Sequence, residues 1–191
     1  MDERTDRILQ VAIELAENDG YEAVRLRDVA SKAEVALGTV YRRFSCKEDI
    51  LAAALNLQVS AFEQAIRLRP IDGDTPRERL TTLFTLATEA LAERPKLAAA
   101  MLRTVSSGVP DLADRVTRYH GMMSGIILAV YRGEDIDAAG ATDGEKLLAA
   151  MLQNVWFAAL VGWTGGLHDT KTVVQQVCAC MDLLICGLEN Q

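Results

Sequence analysis

Apolar residues recur along the chain at intervals of three and four positions, a pattern typical of α-helices with one buried face. The first such stripe ends at Asn18-Asp19-Gly20, which favours a helix C-terminus, and contains Ile8, Leu9, Ala12, Ile13, Leu15 and Ala16. No useful length of sequence alternates with a period of two, so no strand is predicted. We predict an all-α protein of about nine helices, at residues 3–18, 26–33, 37–43, 46–67, 76–92, 95–107, 110–132, 143–164 and 169–188.

Capping sequences mark where several of these helices begin. Three segments place a hydroxyl residue three positions before a glutamate, the pattern of a capping box: Ser45–Glu48, Thr75–Glu78 and Thr142–Glu145. Asp169 precedes the last helix and is interpreted as its N-cap. These boundaries divide the chain into a small N-terminal head, residues 1–50, and a larger helical body, residues 51–191, which the long fourth helix joins.

Composition indicates a soluble globular protein. Half of the 191 residues are hydrophobic and a quarter are charged, which supplies a core and is too apolar for a disordered chain. The N-terminal sequence lacks the apolar segment of a secretory signal. Gln153, Asn154 and Gly162 interrupt the most apolar stretch, Leu147–Trp163, which we interpret as falling short of a membrane span. We therefore expect a cytoplasmic protein that has no membrane partner.

Few residues are suited to catalysis or metal binding. The four cysteines are expected to be reduced thiols, and Cys178, Cys180 and Cys186 are interpreted as small hydrophobic residues, with a redox-sensing pair as the alternative. The two histidines, His120 and His168, stand in no metal-binding spacing. Because no nucleophile with a positioned base and no carboxylate pair is recognisable, we expect no enzyme activity, no cofactor and no metal.

The charge of the chain is unevenly distributed. The whole chain has a formal charge of −7, which by itself argues against a nucleic-acid-binding protein. Residues 25–47 nevertheless hold six basic residues against only Asp28 and Glu34, a local net charge of +4. Because electrostatic fields in salt solution reach only about 8–10 Å, a basic patch beside an acidic body suits a small DNA-reading head.

The same segment has the hydrophobic pattern of a helix-turn-helix. Val29, Ala30 and Ala33 give one short helix a buried face, while Val40 and Phe44 anchor a second short helix. The second helix is dense in threonine, tyrosine and arginine, as expected for a helix that enters the major groove of DNA.

The polar residues of this motif have plausible roles on DNA. Gly38 has no side chain to hold DNA away, Thr39 offers a methyl and a hydroxyl group, and Arg42 can donate to guanine O6 and N7. The flanking basic residues and Tyr41 are expected to meet the phosphate backbone. The predicted DNA-binding residues are Arg25, Arg27, Ala36, Leu37, Gly38, Thr39, Tyr41, Arg42, Arg43 and Lys47.

These residues resemble the signature of TetR-type transcriptional repressors. The resemblance covers residues 4–54 and is carried by Gly20-Tyr21, Arg27–Ala30, Gly38–Phe44 and Ser45–Leu51. It implies a homodimer of all-helical subunits, each with a three-helix DNA-binding head and a body that binds a ligand and dimerises. The function it implies is repression of transcription at a palindromic operator in double-stranded DNA.

Two positions depart from the family pattern. Arg25 stands where the family often has a threonine that caps the second helix. Glu34 stands where the family usually has glycine in the turn, and a left-handed backbone there would cost a glutamate about 1–2 kcal/mol.

Within the family, some segments are similar to actinobacterial, KstR-like repressors of cholesterol and steroid catabolism. These segments are Gly20–Val24, Val35–Thr39 and Asn154–Trp156, together with Trp163. The similarity implies that the effector is a steroid-CoA thioester.

The body supplies candidate walls for an apolar effector pocket. Methionine adapts to irregular pockets, and the two tryptophans stand out in a chain with few aromatic residues. The predicted ligand-binding residues are Phe84, Met101, Leu102, Met122, Met123, Trp156 and Leu160, each of which is alternatively an ordinary core residue. Arg103 is either a partner for an anionic group or a solvated surface residue.

The last two helices are apolar on more than one face, which in a soluble protein favours contact with a partner. The family pattern implies a four-helix dimer interface that sets two recognition helices about one DNA turn apart. The predicted interface residues are Leu148, Met151, Leu152, Val155, Val177, Met181 and Leu184.

The predicted function is that of a homodimeric repressor released from DNA by a hydrophobic effector, with a steroid- or acyl-CoA thioester as the candidate. One alternative is a regulator of an efflux pump that answers to lipophilic drugs; the candidate pocket wall holds none of the carboxylates that a cationic drug would favour. The other alternative is an all-α lipid or CoA-ester carrier or hydrolase that does not bind DNA, which would leave the basic patch unexplained.

Overall fold

The computed structural model of the protein describes residues 3–134 and 140–189, and side chains as far as residue 187. Over those ranges it is all-helical, as predicted. The helices are α1 (Glu3–Asp19), α2 (Leu26–Lys32), α3 (Leu37–Tyr41), α4 (Lys47–Leu68), α5 (Pro76–Ala92), α6 (Pro95–Val105), α7 (Ala113–Arg132), α8 (Asp143–Thr164) and α9 (Thr170–Glu189). Two 3₁₀ turns, Tyr21–Ala23 and Pro110–Leu112, precede α2 and α7.

Side-chain caps confirm three of the predicted helix starts, those of α5, α8 and α9. Thr142 and Glu145 form a complete capping box before α8, and the Thr75 hydroxyl accepts from the N–H of Glu78 before α5. Asp169 Oδ1 accepts from the N–H of Thr172 at 2.8 Å, as an N-cap of α9 does.

The capping box predicted at Ser45 is wrong. Helix α4 begins at Lys47, and the N–H of Ser45 donates to Asp49 Oδ2 at 2.9 Å. Glu48 instead accepts a hydrogen bond from the hydroxyl of Tyr21, 27 positions earlier in the chain. A local hydrogen bond to Asp49 and a long-range one from Tyr21 to Glu48 are therefore present where the box was predicted.

The turn between α2 and α3 is a Schellman motif. The N–H of Val35 donates to the carbonyl of Ala30 at 3.0 Å, and the N–H of Glu34 donates to Ser31 at 3.2 Å. Glu34 occupies the left-handed position of this motif with φ 54°, as expected from its place in the turn. Its side chain is exposed, so no packing offsets the cost of this backbone conformation.

The chain divides into two compact units. Unit 1 contains the residues up to Gln58 together with Arg94–Tyr119. Its core is formed where α1 packs on α2 and α6 and where α2 packs on α3. The largest buried side chains there include Ile8, Leu9, Val29, Val40, Phe44, Ile50, Leu51, Leu97 and Met101.

Unit 2 contains Val59–Glu93 and the residues from His120 onward. Helix α9 packs against both α5 and α8. Phe84 and Trp156 meet edge to face with ring centroids 5.7 Å apart, and the indole N–H of Trp156 donates to Thr88 Oγ1 at 3.0 Å. This buried hydrogen bond satisfies both polar groups, so the apolar core tolerates them.

Ion pairs connect the helices of unit 2. The Arg132 guanidinium donates twice to the Glu145 carboxylate, at 2.8 Å each, and these hydrogen bonds lower the pKa of Glu145 to about 2. Arg77 of α5 reaches Asp182 of α9 at 2.6 Å.

Helix α8 is long and apolar enough, by length and composition alone, to cross a membrane, with a mean hydropathy of 1.4 over an 18-residue stretch. The interpretation that Leu147–Trp163 falls short of a span was therefore wrong on that criterion. In the structure α8 is a packed helix of unit 2, with Leu152 and Trp156 buried. The core helix of a soluble protein has the same composition.

Replacing Glu34 by glycine is expected to stabilise the protein. Glycine adopts a positive φ without steric cost, so Glu34→Gly should raise the free energy of unfolding by ~1 kcal/mol. Thermal unfolding followed by circular dichroism measures the change. Glu34→Ala is the matched control, because it removes the side chain and keeps the Cβ; an equal gain in both variants would contradict the explanation.

Candidate nucleic-acid interface

The helix-turn-helix presents α3 on the surface of unit 1. Val40 and Phe44 are 0% and 2% exposed, so one side of the motif is fixed in the core. Arg25, Arg27, Ala36, Gly38, Tyr41, Arg42 and Arg43 are exposed, while Leu37, Thr39 and Lys47 are half-buried. The ten residues predicted to bind DNA therefore all retain accessible surface.

Thr39 of α3 and Arg42, the C-cap residue of that helix, lie beside each other. The Arg42 guanidinium donates to Thr39 Oγ1 at 3.2 Å on the exposed side of the helix. This contact joins the two predicted base-reading side chains on one face. A guanidinium held in this way keeps further N–H donors available for a base edge.

Gly38 lies in α3 with open space beside its Cα. A Cβ built at this position would meet no atom within 4 Å, and its φ is not positive. Nothing within the described structure therefore requires a glycine here. The backbone of α3 is therefore open at this position to the close approach of another surface.

The remaining basic residues frame the motif. Arg43 donates to Thr5 Oγ1, which connects the end of α3 to α1. Arg25 stands at the N-cap of α2 without a side-chain cap hydrogen bond. Tyr41 is 58% exposed, so its ring and hydroxyl are open to solvent.

Lys47 contacts an acidic and aromatic cluster. Its ammonium lies 2.8 Å from Glu22 Oε2 and 3.9 Å from the ring centroid of Tyr21. Arg103 of α6 contacts the same two residues, at 3.0 Å from Glu22 and 4.0 Å from the ring. Arg103 is an exposed surface residue, and its guanidinium is paired with Glu22.

Sequence reasoning missed a second contact that holds the start of α4. Arg115 of α7 pairs with the buried carboxylate of Asp49, and its guanidinium lies 5.4 Å from the ring centroid of Phe44. Asp49 and Arg115 are 66 positions apart. No local signal in the sequence indicates this pair.

The predicted ligand-binding residues are distributed between the two units. Met101 and Leu102 are buried in unit 1. Phe84, Met123, Trp156 and Leu160 are buried in unit 2, where Met122 is half-buried. Gln153, only 2% exposed in the same unit, has an Nε2 without a hydrogen-bond partner and was not predicted.

A separate cleft of about 470 Å³ lies in unit 2. Its wall contains none of the predicted ligand-binding residues. It is lined by Ile66, Arg67, Pro70, Ile71, Asp72, Gly73, Arg79, Ala129, Val130, Gly133 and Glu134. Arg79 closes one side by donating to the carbonyls of Gly73, Val130 and Tyr131, so its donors already satisfy the backbone.

The predicted interface residues on α8 and α9 differ in exposure. Leu148, Leu152, Val177 and Met181 are buried in the core of unit 2 itself. Val155 and Leu184 are half-buried, and Met151 is 42% exposed. An apolar stripe on the outer side of α8 consists of Leu147, Ala150, Met151, Ala158 and Val161, with Asn154 between them.

Two family models match most of the chain. The model of bacterial regulatory proteins of the tetR family matches residues 8–54, which contain the helix-turn-helix. A model of a tetracyclin repressor-like C-terminal domain matches residues 73–184. The chain belongs to the TetR family. It is a transcriptional regulator with a DNA-binding head and not an enzyme.

Individual proteins show the same relationship. The HTH-type transcriptional repressor KstR of Mycolicibacterium smegmatis is 30% identical over 99% of this chain and 90% of that protein. A TetR transcriptional regulator from Rhodococcus sp. RHA1 has a TM-score of 0.85 at 23% identity and covers 95% of this chain and 94% of its own. Thermus thermophilus FadR, a repressor solved with lauroyl-CoA, has a TM-score of 0.73 at 20% identity and covers 95% and 93%. These two structures share the fold.

A methyl group at Gly38 is expected to have opposite effects on stability and on DNA binding. Alanine is favoured over glycine in a helix, so Gly38→Ala should stabilise the protein by about 0.5–1 kcal/mol. The same methyl group should weaken DNA binding about 5-fold or more, because it fills open space at the predicted DNA interface. Thermal unfolding and fluorescence anisotropy measure the two effects.

Gly121→Ala in α7 is the matched control, since a Cβ there also meets open space. It should stabilise the protein and leave DNA affinity unchanged. Unaltered DNA affinity in Gly38→Ala as well would remove Gly38 from the interface.

Proposed function

We propose that this protein is a homodimeric, effector-responsive repressor that reads a palindromic operator with α3. The observation that carries the proposal is the exposed cationic face of the helix-turn-helix on a chain of the TetR family. Residues 1–50 read the DNA, and residues 51–191 bind the effector and form the dimer. The protein acts in the cytoplasm, where the operator is.

The proposed DNA contacts are of two kinds, contacts to base edges and contacts to phosphates. Thr39 and the C-cap residue Arg42, which are in contact at the exposed end of α3, meet base edges in the major groove. Ala36, Leu37 and Gly38 allow α3 to approach closely. Arg25, Arg27, Tyr41, Arg43 and Lys47 contact phosphates, which fix the register without reading sequence.

The proposed dimer interface lies on the outer apolar stripe of α8. Leu147 is 60% exposed and Val161 is 44% exposed in the isolated subunit, and Leu183 of α9 is 78% exposed. Apolar residues that follow one helix face in this way indicate a surface covered by a partner. The partner is a second copy of this chain, and Met151, Val155 and Leu184 contribute to the same surface, whereas the four buried predicted residues support it from within.

The proposed effector is a hydrophobic molecule that carries a polar acceptor, such as a steroid- or acyl-CoA thioester. Similarity to KstR over nearly the whole chain supports the steroid, and FadR with bound lauroyl-CoA supports a thioester. The buried donor of Gln153 suits a carbonyl acceptor in the core of unit 2. The described residues of unit 2 bury no carboxylate, which disfavours the cationic drugs of the efflux alternative.

The first test is fluorescence anisotropy of the purified protein on duplexes tiled across the DNA upstream of its own gene, in a salt series. Arg42→Ala should relax base preference at one position of each half-site and reduce the free energy of DNA binding by about 1–3 kcal/mol.

Lys47→Ala should weaken binding to all sequences alike and lower the slope of log affinity against log salt concentration by about one unit. Equal binding of every duplex by the wild type would contradict sequence-specific repression.

The effector proposal is tested by adding a steroid-CoA thioester to the complex. Release of DNA supports the proposal, and unchanged binding excludes this thioester. Gln153→Leu should raise the effector concentration for half-release about 5–10-fold, because one hydrogen bond to the effector is lost. The DNA affinity without effector should stay the same.

Gln64→Leu, the same substitution at an exposed position of α4, is the control and should not alter the response. A Gln153 variant that responds like the wild type would show that Gln153 does not contact the effector.

A further inference from the structure

The side chain of Tyr21 joins three elements of unit 1. Its hydroxyl donates to Glu48 in the first turn of α4, and its ring meets Lys47 of the same turn at 3.9 Å. The Arg103 guanidinium of α6 approaches the ring at 4.0 Å. The burial of this tyrosine, together with its hydrogen bond to Glu48, raises the pKa of Tyr21 to about 12, so the hydroxyl stays protonated as a donor.

Glu22 is shared between the two cations. Its Oε2 accepts from Lys47 at 2.8 Å, and its Oε1 lies 3.0 Å from the Arg103 guanidinium. The hydrogen bond from Lys47 holds the pKa of the Glu22 carboxyl below its usual range, so Glu22 is charged at neutral pH. One carboxylate therefore faces two positive charges.

The Glu22 carboxylate opposes the binding of the Lys47 ammonium to a DNA phosphate. A phosphate that binds Lys47 must compete with Glu22 for the ammonium, and it also approaches a carboxylate of like charge. Arg103 offsets both effects, because its charge neutralises Glu22 from the other side. Exposed ion pairs and cation–π contacts are individually weak, so the balance between these states changes by small factors.

We propose that Glu22 and Arg103 are positioning residues that set how strongly Lys47 binds the DNA backbone. The Glu22 carboxylate competes with phosphate for the Lys47 ammonium. The Arg103 guanidinium weakens that competition, because it neutralises part of the Glu22 charge. This inference rests on the proposed function only in that Lys47 meets DNA. Contact with phosphates does not depend on sequence, so a duplex of arbitrary sequence at low salt is a sufficient probe.

The experiment is a mutant cycle on the full-length protein with a labelled 30-bp duplex of arbitrary sequence. Glu22→Gln should tighten binding about 3-fold and Arg103→Ala should weaken it about 3-fold, as expected for one charge at the protein surface. Arg103→Lys keeps the charge and should restore most of the affinity. In the Glu22→Gln background, Arg103→Ala should have little effect.

The Lys47→Ala background distinguishes an effect of Glu22 that acts through Lys47 from direct repulsion between Glu22 and the DNA phosphates. In the Lys47→Ala background, Glu22→Gln should no longer tighten binding. The control Glu14→Gln removes the same charge from an exposed position of α1 and should leave binding unchanged. Thermal unfolding of every variant identifies any loss of fold.

The possible outcomes separate this inference from the proposed function. If the effects of Glu22→Gln and Arg103→Ala are additive, or persist without Lys47, the positioning role is overturned. The proposed function falls instead when the wild type binds every upstream duplex equally well. A wild type that binds no duplex even at low salt overturns both.

Discussion

The proposed DNA-reading surface depends on the burial of Val40 and Phe44. Helix α3 has only five residues, too few to be stable on its own, so its conformation comes from the core that holds these two side chains. Arg43 on Thr5 and Arg115 beside Phe44 hold the same segment from two further elements of unit 1. The exposed residues of α3 are thus presented on a backbone whose geometry is set by its buried side.

Local signals in the sequence predicted most of the fold. Periodicity and the caps at Thr75, Thr142 and Asp169 act within a few residues, so their effects are visible without the rest of the chain. The box at Ser45 was wrong because α4 begins two residues later, at Lys47, and Glu48 accepts from Tyr21, an interaction that no local pattern contains. The Asp49–Arg115 pair was missed for the same reason.

The candidate sites were predictable to different degrees. The sequence motif identified the exposed residues of α3. A short helix with one side buried in the core can expose only its opposite side. On α8, apolar residues occur on two faces, and the sequence does not distinguish the face that packs inside the subunit from the outer one. Leu148 was predicted for the interface and Leu147 was not, although Leu147 is the exposed residue of the two.

The left-handed glutamate in the turn of the helix-turn-helix has an evolutionary consequence. Both glutamate codons become glycine codons by a single A-to-G change in the second base, so a more favourable backbone is one mutation away. One mutation can therefore increase the free energy of unfolding of the N-terminal head. Substitutions on α3 that alter operator preference at some cost in folding would be tolerated after that one change, which widens the set of DNA sequences that descendants of this regulator can come to recognise.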